Sequence, residues 1–195
     1  MPQRTVSLRQ VTKQDVSRIQ RWLGDETVSA SWFGRYSYGD PAHLGYHPSE
    51  MEGASDDKWE RVFNNSEHRI LSIYTDDGEH IGEIHIAVEE SLGDGQISIL
   101  IGRTDLWHQG YGTAGTKAAL DKAFSEFGLY RVWVDIPEYN TAARSMFAHL
   151  GFVHEGTLRQ SRPHEGSRFD SVVMGILATE YAQRVPDETT EVHSV

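Results

Sequence analysis

The order of strand-like and helix-like segments in this 195-residue chain predicts an α+β (mixed α/β) domain, a sheet with helices on its faces. Three observations carry that prediction. Segments with alternating apolar residues come in the order strand, helix, helix, three strands, helix, strand, helix, two strands. A glycine-rich turn stands directly before the longest helical pattern. No repeat and no shift in composition divides the chain, so residues 1–185 read as one domain and 186–195 as a tail without core-forming pattern.

Each element has its own signal. Residues 6–9 alternate apolar and polar side chains. Thr12 and Asp15 form a capping-box-like pair, followed by Val16, Ile19 and Leu23 at helical spacing, with Trp22 beside them. Residues 34–57 are rich in Gly, Pro, His, Ser and Asp and read as a long irregular excursion bordering a site. Trp32, Phe33, Tyr36, Tyr38 and Tyr46 cluster there, either lining an acceptor pocket or packing the loop down. A helix resumes near Asp57, carrying Trp59, Val62 and Phe63. Strands follow at 68–74 and 80–88, joined by Asp76-Asp77-Gly78, and a third at 96–102. From Gly112 the period becomes 3.6, with Leu120, Ala123, Phe124 and Phe127 in one stripe and Gly128 at its end. A strand at 131–136 puts Val132, Val134 and Ile136 on one face. Asn140 then starts a helix with Ala143, Met146, Phe147 and Leu150 on its inner side. Two strands, 152–158 and 169–177, close the pattern.

Composition sets the bounds. With 38% hydrophobic and 24% charged residues the chain is of the globular class. No apolar run is long enough to span a bilayer, and the first residues lead into an amphipathic segment rather than the apolar stretch of a signal peptide. A cytoplasmic location is the expectation. Cysteine is absent, which excludes disulfides, thiolate metal sites and a cysteine nucleophile. The net charge of −11 argues against nucleic acid and for either a cationic partner or plain solubility. Ten histidines invite a metal, but His43 and His47 have no third ligand near them in sequence, and no metal is expected.

The segment before the long helix carries the chemistry. Gly110, Gly112 and Gly115 allow backbone amides to approach a ligand at a helix N-terminus, which suits phosphate. Gly110-Tyr111-Gly112-Thr113-Ala114-Gly115 satisfies the dinucleotide pattern G-x-G-x-x-G literally. That pattern needs a strand running into its first glycine, and residues 103–109 intervene. A Walker A loop fails because Thr116 holds the lysine position and Ala118 follows Lys117.

A third reading is a pyrophosphate loop of coenzyme A type. Residues 8–15 (LRQVTKQD) and 22–25 (WLGD) open a longer pattern, and 99–102 (ILIG) with 107–113 (WHQGYGT) continue it. Then come 124–132 (FSEFGLYRV), 140–144 (NTAAR), 150–152 (LGF) and 155–159 (EGTLR), and finally Gly166, Asp170 and 174–177 (MGIL). In this order they resemble the GNAT superfamily of N-acetyltransferases from Val6 to about Tyr181, in particular its RimJ/RimL-like ribosomal-protein branch. The ordered set is specific, although each motif alone is weak.

The resemblance implies a GNAT fold, a single central mixed and mostly antiparallel sheet of six to seven strands with helices on both faces. It implies acetyl-CoA as co-substrate. The backbone of Leu100, Ile101 and Gly102 would pair with the pantetheine arm, and Gln109, Gly110, Tyr111, Gly112, Thr113 and Ala114 would wrap the pyrophosphate. The family motif R/Q-x-x-G-x-G/A fits from Gln109, with Gly112 and Ala114, or from Trp107 with a departure at its first position. Asn140 matches a cofactor-contacting asparagine and equally an N-cap. Arg144 lies near the coenzyme. Phe147 stands where many members have a tyrosine acid, and Gln96 replaces a glutamate often found early in the fourth strand.

Transfer to an amine needs a group to take its proton, since an alkylamine has a pKa of about 10. Glu83 and His85 alternate on one face of the third strand and are candidates, with side chains turned to solvent or to a neighbouring strand as the other reading. Asp135 and Glu138 are further candidates. The expected acceptor is a primary amine: a protein N-terminus, a polyamine, an aminoglycoside or another small amine, attacking directly in a ternary complex. The other class left open is a non-catalytic acyl-CoA sensor or partner-binding module. The family frequently forms homodimers.

Overall fold

A computed structural model describes residues 4–32, 45–164 and 166–184. The strands form one seven-stranded sheet in the order β1-β2-β3-β4-β5-β7-β6. They are β1 (Val6–Gln10), β2 (His68–Thr75), β3 (His80–Glu89), β4 (Asp94–Ile101), β5 (Arg131–Pro137), β6 (Val153–His164) and β7 (Ser167–Leu177). All neighbours are antiparallel except β4 and β5. The helices among the described residues are α1 (Lys13–Leu23), α2 (Glu26–Trp32), α3 (Pro48–Met51), α4 (Asp56–Phe63), α5 (Tyr111–Ser125), α6 (Thr141–His149) and α7 (Ala178–Arg184). The mixed α/β class and the mostly antiparallel sheet of six to seven strands expected from the sequence are both present.

The sheet has a core on each face, and strand alternation decides which residue joins which. Ile84 and Ile86 of β3, Ile97 of β4 and Val132 and Val134 of β5 pack with Leu120 and Ala123 of α5. On the opposite face Ile70 and Leu100 pack with Val16 and Ile19 of α1, Met51 of α3 and Tyr46. Residues between those of the first core point to the other side of the sheet: Glu83 and His85 on β3, beside Tyr46 and Gly45, Ser98 on β4, and Trp133 and Asp135 on β5.

Three elements were not expected. Part of the excursion is helical, with α3 inside it and α4 starting at Asp56. The Pro48 that suggested a loop occupies the first helical turn. The helix α2 has a Ser- and Thr-rich sequence of low propensity, but Asp25 accepts from the amides of Thr27 and Val28, and Val28 is buried. The helix α7 docks through buried Tyr181, whose hydroxyl donates to Asp121. The strand β6 runs to His164 rather than ending at Leu158. It is an edge strand, exposed on both faces along most of its length, so no apolar alternation marks it. The tail 186–195 and the aromatic residues Phe33, Tyr36 and Tyr38 lie outside the described residues, as does the side chain of Trp32.

Candidate active site

The site begins where two strands part. β4 and β5 pair in parallel only at Asp94–Gln96 against Arg131–Trp133, and beyond Gln96 the ladder stops. Arg131 clasps the closed end, its guanidinium bonded to Asp94 at 2.5 Å and to Glu155 across the sheet. On the open side Gly102 N–H donates to the Ile81 carbonyl on β3. The two-residue alternation of an antiparallel ladder then turns the amides of Ile97, Ile99 and Ile101 toward the gap. The Ile101 carbonyl accepts the Trp107 indole N–H at 2.8 Å, which ties the following loop to the strand end.

That loop delivers a helix N-terminus to the gap. His108 (φ 60°) and Gly110 (φ 91°) are both left-handed, and this reverses the chain into α5 with Gly110 as N-cap. The first intrahelical amide bond is Ala114 to the Gly110 carbonyl, and the first turn holds no acidic residue. Amides of Tyr111, Gly112 and Thr113 lead the helix with the positive end of its dipole. A Cβ on Gly112 would meet the Met146 sulfur at 3.2 Å, so the glycine keeps the entrance between α5 and α6 open.

Between these elements lies a cavity of about 760 Å³. Of the residues expected to bind cofactor, Leu100 and Ile101 line it from the strand, and Gln109, Gly110, Gly112, Thr113 and Ala114 from the loop and helix. Asn140 lines it too, while its side chain accepts from Ala143 N–H as the N-cap of α6. Both readings of Asn140 are thus compatible with one position.

Four expected residues stand elsewhere. Gly102 is packed against Trp22 and spends its amide on β3, so Ile99 replaces it beside the gap. Tyr111 lies under the Arg4 guanidinium, 4.9 Å from the ring centroid. Arg144 is exposed on α6 outside the lining. Phe147 is turned into the core, edge-on to Phe152 at 4.9 Å, and its neighbour Met146 faces the cavity instead.

Sequence reasoning missed Arg4, Lys117 and His149, which also line the cavity. Arg4 precedes the first strand, where no pattern singles it out. Its Nη2 donates to Gln109 Oε1 at 3.3 Å and its Nε to the Gln109 carbonyl at 3.4 Å.

None of the four candidate proton acceptors lines the cavity; Glu83 and His85 sit on β3 beside the α1–α4 core, and Asp135 and Glu138 at the β5 end. Glu83 is 1% exposed, and the Tyr46 hydroxyl donates to its Oε2 at 2.7 Å. Its Oε1 has no hydrogen-bond partner among the described residues. Burial pushes the carboxyl up to about 8, against the pull of the Tyr46 hydrogen bond, with the Asp15 charge adding to the rise. Burial likewise raises the Tyr46 hydroxyl above its ordinary range, and the neighbouring Glu83 reinforces it. His85, 6% exposed, lies across from Ser98 of β4. Asp135 is held by Arg162, itself 5% exposed. Glu138 accepts from the Asp170 amide at the rim. Among the described residues no three His, Asp or Glu side chains are grouped to hold a metal ion, and no helix is long and apolar enough to cross a membrane.

A cavity lined by the free end of β4, a glycine-opened helix N-terminus and α6 fits an extended phosphorylated thioester. Comparison with known proteins agrees. The acetyltransferase (GNAT) domain family matches residues 5–153. Spermidine N-acetyltransferase from Vibrio cholerae in complex with CoA and spermine superimposes with a TM-score of 0.74 at 18% identity, covering 91% of this chain and 98% of that one. A chimera of the Vibrio cholerae enzyme SpeG gives 0.75 at 19% identity, covering 92% and 99%. A probable acetyltransferase gives 0.73 at 18%, covering 90% and 94%. With the family matching most of its length, the chain belongs to the GNAT acetyltransferases, enzymes that use acetyl-CoA to acetylate amines.

Proposed function

We propose that this chain, acting as a single catalytic domain over residues 1–185, acetylates a primary amine of a small polycation. The amine attacks directly in a ternary complex. The observation that carries the reading is the parting of β4 from β5 beyond Gln96, beside a cavity lined by the end of β4 and the N-terminus of α5. Acetyl-CoA supplies the activated acyl group. The amides of Gly112 and Thr113 hold its pyrophosphate, with Gln109 as the first position of the loop motif and Arg4 adding positive charge. The backbone of Ile99 and Ile101 takes the pantetheine arm. Glu83 and His85 handle the amine proton. Asp135, bound to Arg162, shapes the acceptor side.

The acidic charge of the chain and the spermine held by a structural neighbour support a polyamine acceptor. The RimJ/RimL resemblance keeps a protein N-terminus as the second acceptor class to test. A non-catalytic sensor is favoured by one observation, the burial of Phe147 where a tyrosine acid is common.

Thiol release from acetyl-CoA with spermidine, spermine, an N-terminal peptide and an aminoglycoside tests the reading. Turnover fastest with a polyamine supports it. Turnover with the peptide alone moves the acceptor to protein N-termini. Acetyl-CoA binding without turnover on any amine makes the chain a sensor.

A further inference from the structure

The face that carries Glu83 and His85 holds a second histidine that the reading above does not use. His68 opens β2, and its Nδ1 lies 2.9 Å from His85 Nε2, with ring centroids 5.0 Å apart. Two imidazole nitrogens at that distance share one proton, one nitrogen donating and the other accepting. The rings differ in access: His85 is buried, whereas His68 is only half-buried. Gly45 clamps the pair. A Cβ there would lie 2.9 Å from His85 Cε1 and 3.5 Å from His68 Nδ1, and its φ of 78° suits glycine. The His68 amide is anchored on Asn65 Oδ1 at 2.7 Å. Among the described residues, Glu83 on β3, Tyr46 above the sheet and Asp15 on α1 are ionisable groups on this face, and β4 presents uncharged Gln96 and Ser98 beside them.

We infer that His68 is the outlet of a two-histidine relay, carrying to solvent the proton that a cationic acceptor sheds through His85. The inference rests on the amine-acetylation reading and names a residue that reading lacks. A primary ammonium, with an ordinary pKa of about 10, must lose one proton before its nitrogen can attack. His85 takes that proton on one ring nitrogen and passes its Nε2 proton to His68 Nδ1. His68 gives its own Nε2 proton to water, so each ring gains one proton and loses one. The second proton leaves the nitrogen as the C–N bond forms and the thioester C–S bond breaks, and it ends on the departing thiolate as free thiol.

The test measures thiol release with the fastest amine on wild type, His68→Asn and His68→Ala, with and without added imidazole, beside melting temperatures. His68→Asn keeps a hydrogen-bond acceptor for His85 but has no second ring nitrogen. The expected result is a kcat lower by about 10²-fold in both variants, the low end for a positioned proton acceptor, with KM for the amine little changed. Imidazole should restore His68→Ala. Wild-type kcat in His68→Asn would overturn the relay. So would a loss that imidazole leaves in place while the melting temperature drops, which assigns His68 to packing. Wild-type protein that releases no thiol with any amine overturns the acetylation reading itself, and the relay with it.

Discussion

Glu83 combines full burial, Tyr46 as its one hydrogen-bond donor among the described residues, and a carboxyl whose pKa is raised to about 8. A base works best when its pKa lies near the working pH, and this one does. Glu83→Gln should lower kcat/KM by about 10²-fold in the thiol-release assay. It should also change stability with a defined sign. The folded carboxyl keeps a proton between its ordinary value of 4.5 and about 8, while the unfolded one has lost it. That contribution is fully present below 4.5 and lost as pH rises through 8, so ionisation costs the folded state stability at alkaline pH. The glutamine cannot ionise. Its melting temperature relative to wild type should therefore climb across that window and level off above it. A difference that stays constant with pH would show a Glu83 that ionises as it does in water. At the cofactor loop, Arg4→Ala should weaken acetyl-CoA binding about tenfold by calorimetry, the scale of one charge-assisted hydrogen bond. Unchanged affinity would make Arg4 merely a tether for Gln109.

At the scale of elements, α1 is tied to the sheet by Asp15, and this tie predicts how the protein responds to acid. Asp15 is 0% exposed and accepts from Thr12, Ser72 and Tyr74, with Arg18 and the His80 ring beside it. Burial pushes its carboxyl up, but the Tyr74 hydrogen bond, the His80 ring and Thr12 together hold it below its ordinary value of 3.8. Burial lowers His80 below 6.5 against the attraction of Asp15. Both groups bind fewer protons folded than unfolded, so both contribute stability that disappears as pH falls. The melting temperature should decline first from about 6.5 downward, through His80, and again below 3.8, through Asp15. Asp15→Asn should cost about 3 kcal/mol at neutral pH by denaturant unfolding, because it breaks a buried charged cluster. A cost below about 1 kcal/mol would mean the cluster relaxes around the amide. The capping pair Thr12–Asp15 was legible in the sequence because its spacing is local. The partners Ser72, Tyr74 and His80 were not, since they come from two strands far along the chain. The same contrast runs through the fold. The stripes of α5 and α6 and the alternation of β5 stand out because each has one buried face, whereas β3, buried on both, shows its period only because Glu83 and His85 are polar. The strand β6 is exposed on both sides and carries no such mark. In the site, Gly110 and Gly112 announce themselves through backbone need, whereas Arg4 and Met146 belong to it only through long-range packing.

For the whole molecule, the net charge of −11 meets a cofactor that is itself an anion, so local and global electrostatics oppose each other. The cavity answers locally: Arg4 and the leading amides of α5 put positive charge at its wall, while Lys117 is paired there with Asp121. The rest of the surface repels the cofactor and draws in a polycation. These two fields decay over the Debye length, about 8 Å at physiological ionic strength, so salt should separate them. Raising salt from about 0.05 to 0.5 M should lower kcat/KM for a polyamine several-fold, mainly through the encounter rate, because a distant field steers the acceptor. A neutral amine of similar size should lose little over the same range. KM for acetyl-CoA should fall or hold steady, since screening removes the long-range repulsion while the short contacts of the loop persist. The measurement is a matched pair of salt series with one cationic and one uncharged acceptor at saturating acetyl-CoA. Parallel slopes would mean that the negative charge serves solubility alone and that acceptor choice resides in the pocket. A steep slope for the polyamine only would make the charge of the whole chain part of its specificity.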